Sequence, residues 1–351
     1  MSLPHTYLAE CAEPTGYLDF ARFGPPTRRV VATTARLTDL AAAAGPSTVD
    51  DLMREVGAAQ RLAARLTGIA QVTLLPNTST GLFQAATAID GPVLVSATDF
   101  PANTYPWARV GTARPLRAAT PEAVREALTA DVRAVAVSAV DFRTGRRADL
   151  AGLREVIGDR LLVVDGIQGF GAVDMPWAAA DVLVVGGQKW LRAGWSTGFL
   201  ALPDAALDRL EPVLSGWTGA RDHTVFDDVV HPRADGAAGW SITNLSPIAA
   251  GALAAALDLL AGVGADAVER AVLERVDALA DVVARHGGRV VSTPGSGILA
   301  FAHPAPGVGE ALRAAGVTAT TRADHVRLSP HASTTAATIE AVADALGHLR
   351  G

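Results

Sequence analysis

Short apolar runs alternate with stretches of helical periodicity from about residue 71 to residue 202. The runs lack a regular polar face, which is typical of strands buried on both sides of a mostly parallel sheet. There are six of them: 72–75, 92–95, 132–137, 161–164, 182–185 and 199–202. Amphipathic stretches at 121–128 and 150–157 have the length of crossover helices. The pattern predicts a large α/β domain whose central sheet is flanked by helices.

The pattern changes after a loop-rich segment at about 213–246. We expect residues 1–246 to form an N-terminal segment and the large domain, and residues 247–351 to form a smaller C-terminal α+β domain. Its predicted elements are helices at roughly 247–262 and 266–287, short strands near Arg289 and Ile298, a helix from Val308, a strand at 325–328 and a last helix from Thr334. The first few dozen residues are expected to join the two domains.

Composition narrows the possible partners. The chain has 351 residues, 49% of them hydrophobic, and a formal net charge of -6. Such a chain can bury a substantial core but has no general attraction for nucleic acid or anionic lipid, so neither nucleic acid nor a membrane is an expected partner. Its single cysteine, Cys11, excludes an internal disulfide framework, and no charged-then-apolar leader opens the chain. We therefore expect a cytoplasmic protein.

Lys189 is the only lysine in a chain that has 30 lysine and arginine residues together. Arginine stays protonated, whereas lysine can lose its proton and condense with an aldehyde. The alternative is that one lysine persists by chance in an arginine-biased chain.

Polar residues follow the ends of the apolar runs, where ligands bind in open α/β sheets. The segment 77–81 precedes a helical pattern and suits a phosphate, or it is a plain helix cap by Ser79 or Thr80. The segment 99–107 is rich in aromatic residues, which could stack on a planar cofactor or simply pack under a loop.

Asp165 and Lys189 follow two consecutive runs. A carboxylate at the first position could pair with a protonated pyridine nitrogen, although it could equally cap the next turn. Because consecutive strand ends can approach one ligand together, the pair favours pyridoxal 5'-phosphate (PLP) held by Lys189.

In combination, the segments 17–26, 78–80, 164–169 and 188–190 resemble the class V aminotransferase family of fold type I PLP-dependent enzymes, which includes cysteine desulfurases, selenocysteine lyases and kynureninases. The resemblance implies that Lys189 forms a Schiff base with PLP, that Asp165 binds the pyridine nitrogen and that Gln168 meets the phenolic oxygen. It assigns the phosphate to four side chains: Thr78, Ser79, Thr80 and Gln188. Gln188 replaces a histidine common in desulfurases, and Gly186 replaces a serine.

Further segments are more similar to kynureninase: 100–105, 140–145, 215–218 and 242–248. In that pattern Phe100 stacks on the cofactor ring and Asn103 lies near it in place of an aspartate. Trp217 and Asn244 reach the site of a neighbouring subunit, which implies a homodimer with shared active sites. The segment 325–331 resembles one whose arginine holds the substrate carboxylate, so Arg327 is the candidate, with a surface salt bridge as the alternative.

The predicted function is a PLP-dependent reaction of an α-amino acid in which Lys189 also serves as general base. Amino-group transfer is the default for this family. Alternatives are cleavage at the β carbon, as in kynureninase, or a C–S lyase that needs no cysteine. Desulfuration through a catalytic cysteine is not expected, because Cys11 lies far before Lys189. A nucleotide-binding α/β protein is a remote alternative, since the segment 77–81 has neither a G-x-G-x-x-G motif nor a P-loop.

Overall fold

A seven-stranded sheet forms the centre of the protein in the computed structural model, which describes residues 3–350. Its strands are β1 (Gln71–Leu74), β2 (Val93–Ser96), β3 (Ala113–Leu116), β4 (Ala134–Ser138), β5 (Leu161–Asp165), β6 (Val182–Gly186) and β7 (Gly198–Leu202). Their order is β1-β7-β6-β5-β4-β2-β3, and β7 alone runs opposite to the other six strands. The predicted α/β fold with a mostly parallel sheet is confirmed. Strand β3 was not predicted, because Arg114 and Pro115 interrupt its apolar pattern.

Helices cover the sheet and extend beyond it. They are α1 (His5–Ala9), α2 (Arg28–Ala43), α3 (Thr48–Thr67), α4 (Thr78–Ala88), α5 (Pro101–Val110), α6 (Pro121–Ala127), α7 (Leu150–Ile157), α8 (Asp204–Leu207), α9 (Pro247–Val263), α10 (Ala265–Arg285), α11 (Val308–Ala314) and α12 (Ala336–Gly347). The sequence did not predict α2 and α3, which both pack against α9. The helix α3 buries Leu52, Ala59 and Ala63 at helical spacing, so it is amphipathic.

A second sheet lies in the C-terminal part of the chain. Its strands are β8 (Arg289–Val290), β9 (Leu299–Ala302), β10 (Thr320–Thr321) and β11 (Val326–Leu328), all antiparallel in the order β10-β11-β9-β8. Isolated bridges from Tyr17 to Thr318 and from Asp19 to Ser329 attach the N-terminal segment beside this sheet. The division of the chain at residue 246 stays a prediction.

Within the described residues, no single helix is both long and apolar enough to cross a membrane. Helices α9 and α10 reach that length and composition only as a pair, and the pair is bent by 84°.

The sheet topology creates one edge of the large sheet at which a ligand can bind. Strands β1, β2, β4, β5 and β6 all point the same way, so their carboxyl ends meet along that edge. The residues that the sequence singled out lie at these strand ends or shortly after them, including Thr78, Phe100, Asp165 and Lys189.

Candidate active site

A cavity of about 460 Å³ opens at the carboxyl ends of the parallel strands. Seven residues predicted from the sequence line it: Thr78, Ser79, Phe100, Gln168, Gln188, Lys189 and Arg327. Nine lining residues were not predicted as site residues: Ala21, Arg22, Asn77, Ala102, Phe142, Ile167, Trp195, Thr320 and Arg322. The cavity therefore collects side chains from the N-terminal segment, the large sheet and the small sheet.

Lys189 and Asp165 form a buried pair of titratable groups. Burial lowers the pKa of Lys189 to about 8, although the charge of Asp165 acts in the opposite direction. Burial also raises the pKa of Asp165 to about 7, partly offset by a backbone N–H from Ile167 and by Lys189. The Lys189 Nζ atom lies 5.4 Å from the centroid of the Phe100 ring. At neutral pH the lysine is thus easier to deprotonate than an exposed one, as a nucleophilic amine requires.

The lowered pKa of Lys189 predicts the pH dependence of its reaction with an aldehyde. In the cofactor-free protein, the rate of reductive alkylation by a small aldehyde should rise with pH and level off above about 8, because only the neutral amine attacks. A lysine at the ordinary value of 10.5 would still gain rate well beyond that point. Since the chain has no other lysine, mass mapping has only to separate this residue from the N-terminal amine. A rate still rising steeply at pH 10 would contradict a lowered pKa.

The start of α4 and the end of β6 together form a cradle of neutral donors. Asn77 caps the helix, since its Oδ1 atom accepts from the N–H of Thr80 at 2.9 Å and from the Thr80 hydroxyl at 3.1 Å. The alternative caps, Ser79 and Thr80, are therefore not used. The Thr78 Oγ1 atom is buried without a hydrogen-bond partner among the described residues. Such an orphaned hydroxyl at a helix N-terminus suits an oxygen of a bound phosphate.

Gly186 lies against two side chains of this cradle. A Cβ atom added there would lie 2.6 Å from Thr78 Oγ1 and 2.8 Å from Gln188 Oε1. Any larger residue, including the serine common in desulfurases, would need these two side chains to move. The glycine at position 186 therefore leaves the space in which the Thr78 and Gln188 side chains lie.

Trp190 fixes the orientation of the Gln168 amide. The Trp190 Nε1–H can only donate, and it does so to Gln168 Oε1 at 3.0 Å. The Gln168 Nε2 atom donates one hydrogen to the Ala21 carbonyl at 2.8 Å and keeps a second. Gln168 can therefore offer the cavity an N–H, the polarity that suits a phenolate oxygen.

Arg327 reaches the cavity from β11 and is only 5% exposed. Its Nη1 donates to the Phe142 carbonyl at 2.9 Å, and its Nη2 donates to Thr320 Oγ1 at 3.1 Å and lies 3.4 Å from Asp19 Oδ1. Its Nε is buried without a partner among the described residues. The alternative of a surface salt bridge does not describe this buried guanidinium, which retains donor capacity for a carboxylate.

The segment after Lys189 is held by contacts with the N-terminal segment. The Gly24 N–H donates to the Gln188 carbonyl at 2.9 Å, and a Cβ at Gly24 would come within 1.9 Å of the Lys189 carbonyl oxygen. Arg192 is buried, donates to the Pro25 carbonyl and pairs with Glu13. These contacts limit the positions that the lysine can take.

Five predicted residues do not line the cavity. Thr80 is engaged in the cap of α4. Asn103 is completely buried and donates to Asp99 Oδ2 at 2.9 Å. Trp217 and Asn244 are exposed. Their binding roles stay predictions, as does that of Asp165, which lies next to Lys189 but not on the cavity wall.

Comparison with known proteins identifies the family. A family model described as aminotransferase class V matches residues 69–304. The chain belongs to the class V aminotransferase family. A kynureninase from Deinococcus radiodurans is 32% identical over 289 residues, which are 74% of this chain and 69% of that protein. The predicted PLP-dependent enzyme of the class V aminotransferase family is confirmed.

Solved structures show the same fold. A C-DES mutant with glycine covalently linked to the PLP cofactor has a TM-score of 0.88 and 18% identity over 99% of each chain. The cystine C–S lyase C-DES in complex with cysteine persulfide has a TM-score of 0.86 and 18% identity, over 95% of this chain and 97% of that chain. The cysteine desulfurase CsdA from Escherichia coli has a TM-score of 0.84 and 19% identity, over 96% and 94%. The fold type I architecture predicted for the class V family is confirmed.

Proposed function

We propose that this class V family member uses PLP bound through Lys189 Nζ to transform an α-amino acid. The observation that carries the proposal is one cavity that brings three groups together. They are Lys189, whose pKa is lowered, the Thr78 hydroxyl, which has no partner among the described residues, and the buried Arg327, whose Nε has none either. These groups fit the aldehyde and phosphate of PLP and the carboxylate of an amino acid. Bound PLP supplies an electron sink for negative charge that develops at the substrate α carbon.

Each side chain then has a definite task. Thr78, Ser79 and Gln188 bind the phosphate, and Asp165 keeps a proton on the pyridine nitrogen. The Arg327 guanidinium orients the substrate through its carboxylate, and the Lys189 amine moves the proton at the α carbon. Phe100 packs over the ring plane.

The test is the absorbance spectrum of the purified protein before and after borohydride, followed by mass mapping. We expect a visible band that bleaches on reduction and leaves a pyridoxyl group on Lys189. No band after addition of PLP, or a label on the N-terminal amine alone, would contradict the proposal.

Arg327 gives a prediction about substrate choice. Arg327→Ala should lower kcat/KM for amino acids by about a hundredfold but hardly affect simple primary amines, because only the former present a carboxylate to the guanidinium. Arg327→Lys keeps the charge but not the bidentate donor geometry. Its kcat/KM for amino acids should lie between those of the wild type and of Arg327→Ala. Steady-state kinetics on a matched amino acid and its decarboxylated amine measure the difference. Equal losses for both would remove Arg327 from carboxylate binding.

Amino-group transfer is the first reaction to test, and β-carbon cleavage is the second. The second is supported by the 32% identity to a kynureninase and by aromatic lining residues, Phe142 and Trp195. Desulfuration through a cysteine has no support, because Cys11 is half-buried, does not line the cavity and has its pKa raised by burial. Product analysis separates a 2-oxo acid from a shortened amino acid.

We also propose that the protein is a cytoplasmic homodimer in which both subunits contribute residues to each active site. Exposed apolar side chains cluster in the segment that carries Trp217, among them Val213, Phe226 and Val230. Such a patch is typical of a subunit interface. Trp217 and Asn244 would reach the partner's cavity from this surface.

A further inference from the structure

Two arginines at the opening of the cavity are not used by the function proposed above. Arg22 lies in the N-terminal segment and Arg322 follows β10, and both are exposed lining residues. Within the described part of the chain, neither side chain makes a hydrogen bond or an ion pair. Unpaired arginines that converge on one cavity from distant parts of the sequence present a positive field to any ligand that enters.

The cavity has an excess of positive charge. Its lining includes Arg22, Arg322, Arg327 and Lys189, whereas no aspartate or glutamate among the described residues lines it. The nearby carboxylate of Asp19 already pairs with Arg327 and accepts from Thr320 Oγ1. Burial is the main cause of a lowered Arg327 pKa, and the charges of Arg322 and Arg22 lower it further. Because Asp19 already offsets the charge of Arg327, the guanidinium groups of Arg22 and Arg322 are the two without a carboxylate partner among the described lining residues.

We propose that Arg22 and Arg322 form a subsite for a second negative group on the substrate side chain, which makes amino dicarboxylic acids the preferred substrate class. The inference rests on the proposed function, since it takes Arg327 to hold the α-carboxylate. Trp195 lines the opening beside the two arginines and stacks on Phe23, with ring centroids 5.8 Å apart and planes at 11°. Trp195 is 67% exposed, so this aromatic pair borders the opening on its solvent side.

The other source of negative charge is the phosphate of the cofactor. The cradle at Thr78, Ser79 and Gln188 contains only neutral side chains, so it would leave the charge of the phosphate without a cationic partner. The experiment must therefore decide whether the two arginines bind the substrate side chain or the cofactor phosphate. Amino acids that differ in charge but not in shape do so, because the cofactor is the same with each.

The experiment titrates the holoenzyme with aspartate against asparagine and with glutamate against glutamine, following the cofactor absorbance. We expect each acid to bind about tenfold more tightly than its amide, since two partly exposed ion pairs differ between them. In the double variant Arg22→Gln/Arg322→Gln the preference should fall to about twofold or less, with amide binding unchanged. Arg125→Gln, which alters an exposed arginine on α6 that does not line the cavity, is the matched control. Added salt should reduce the preference of the wild type.

Two results would overturn the subsite. One is equal binding of acid and amide by the wild type. The other is a double variant that keeps the preference but binds PLP more weakly, which would assign the arginines to the cofactor phosphate. In both, amino acids still change the spectrum and the proposed function stands. If no amino acid changes the spectrum and no pyridoxyl group is found on Lys189, the proposed function and the subsite both fail.

Discussion

Replacing Lys189 with arginine should lower turnover by about a thousandfold or more. Arginine keeps a positive charge beside Asp165 but stays protonated, so it can neither condense with the PLP aldehyde nor move a proton at the substrate α carbon. The measurement is kcat on the best amino acid found by screening, together with the absorbance spectrum. The cofactor should still bind through its phosphate, without the covalent link.

A second variant separates chemistry from folding. Lys189→Ala creates space where the amine stood, and an added small primary amine should restore part of its turnover. Circular dichroism and thermal unfolding check that both variants fold. If Lys189→Arg keeps turnover within about tenfold of the wild type, Lys189 has neither of the two roles proposed for it.

Asp165→Asn should lower turnover by about a hundredfold to a thousandfold. The amide has nearly the same shape but no charge, so it cannot hold a proton on the pyridine nitrogen, and negative charge at the α carbon is less well stabilised. Steady-state kinetics and the cofactor absorbance at several pH values measure the loss. Turnover close to that of the wild type would remove Asp165 from this role.

The same variant has two further consequences in the cofactor-free protein. The Lys189 pKa should fall below about 8, because the Asp165 charge raises it. The stability of the wild type should also change with pH. A carboxyl whose pKa is raised from 3.8 to about 7 binds more protons in the folded state, so its contribution is lost as pH rises between those values. Asp165→Asn should lack this slope and be at least as stable as the wild type at pH 8.

The sequence by itself was informative about the large sheet and the reactive pair. Continuous apolar runs predicted six of the seven strands, because residues buried on both faces of a sheet need no polar partners. The positions of Asp165 and Lys189 after consecutive runs predicted that they meet at one edge, because neighbouring parallel strands end together. The resemblance of the segments 164–169 and 188–190 to the class V family added the cofactor.

Only the tertiary structure decided how the rest of the cavity is assembled. Arg22, Trp195 and Arg322 line one cavity although up to 300 positions separate them in the sequence, and no local pattern specifies such an arrangement. The cap by Asn77, the burial of Asn103 beside Asp99 and the clearance that Gly186 gives to Thr78 and Gln188 also depend on packing. Periodicity reports which face of an element is buried, but the neighbour that covers it is chosen by contacts between distant segments.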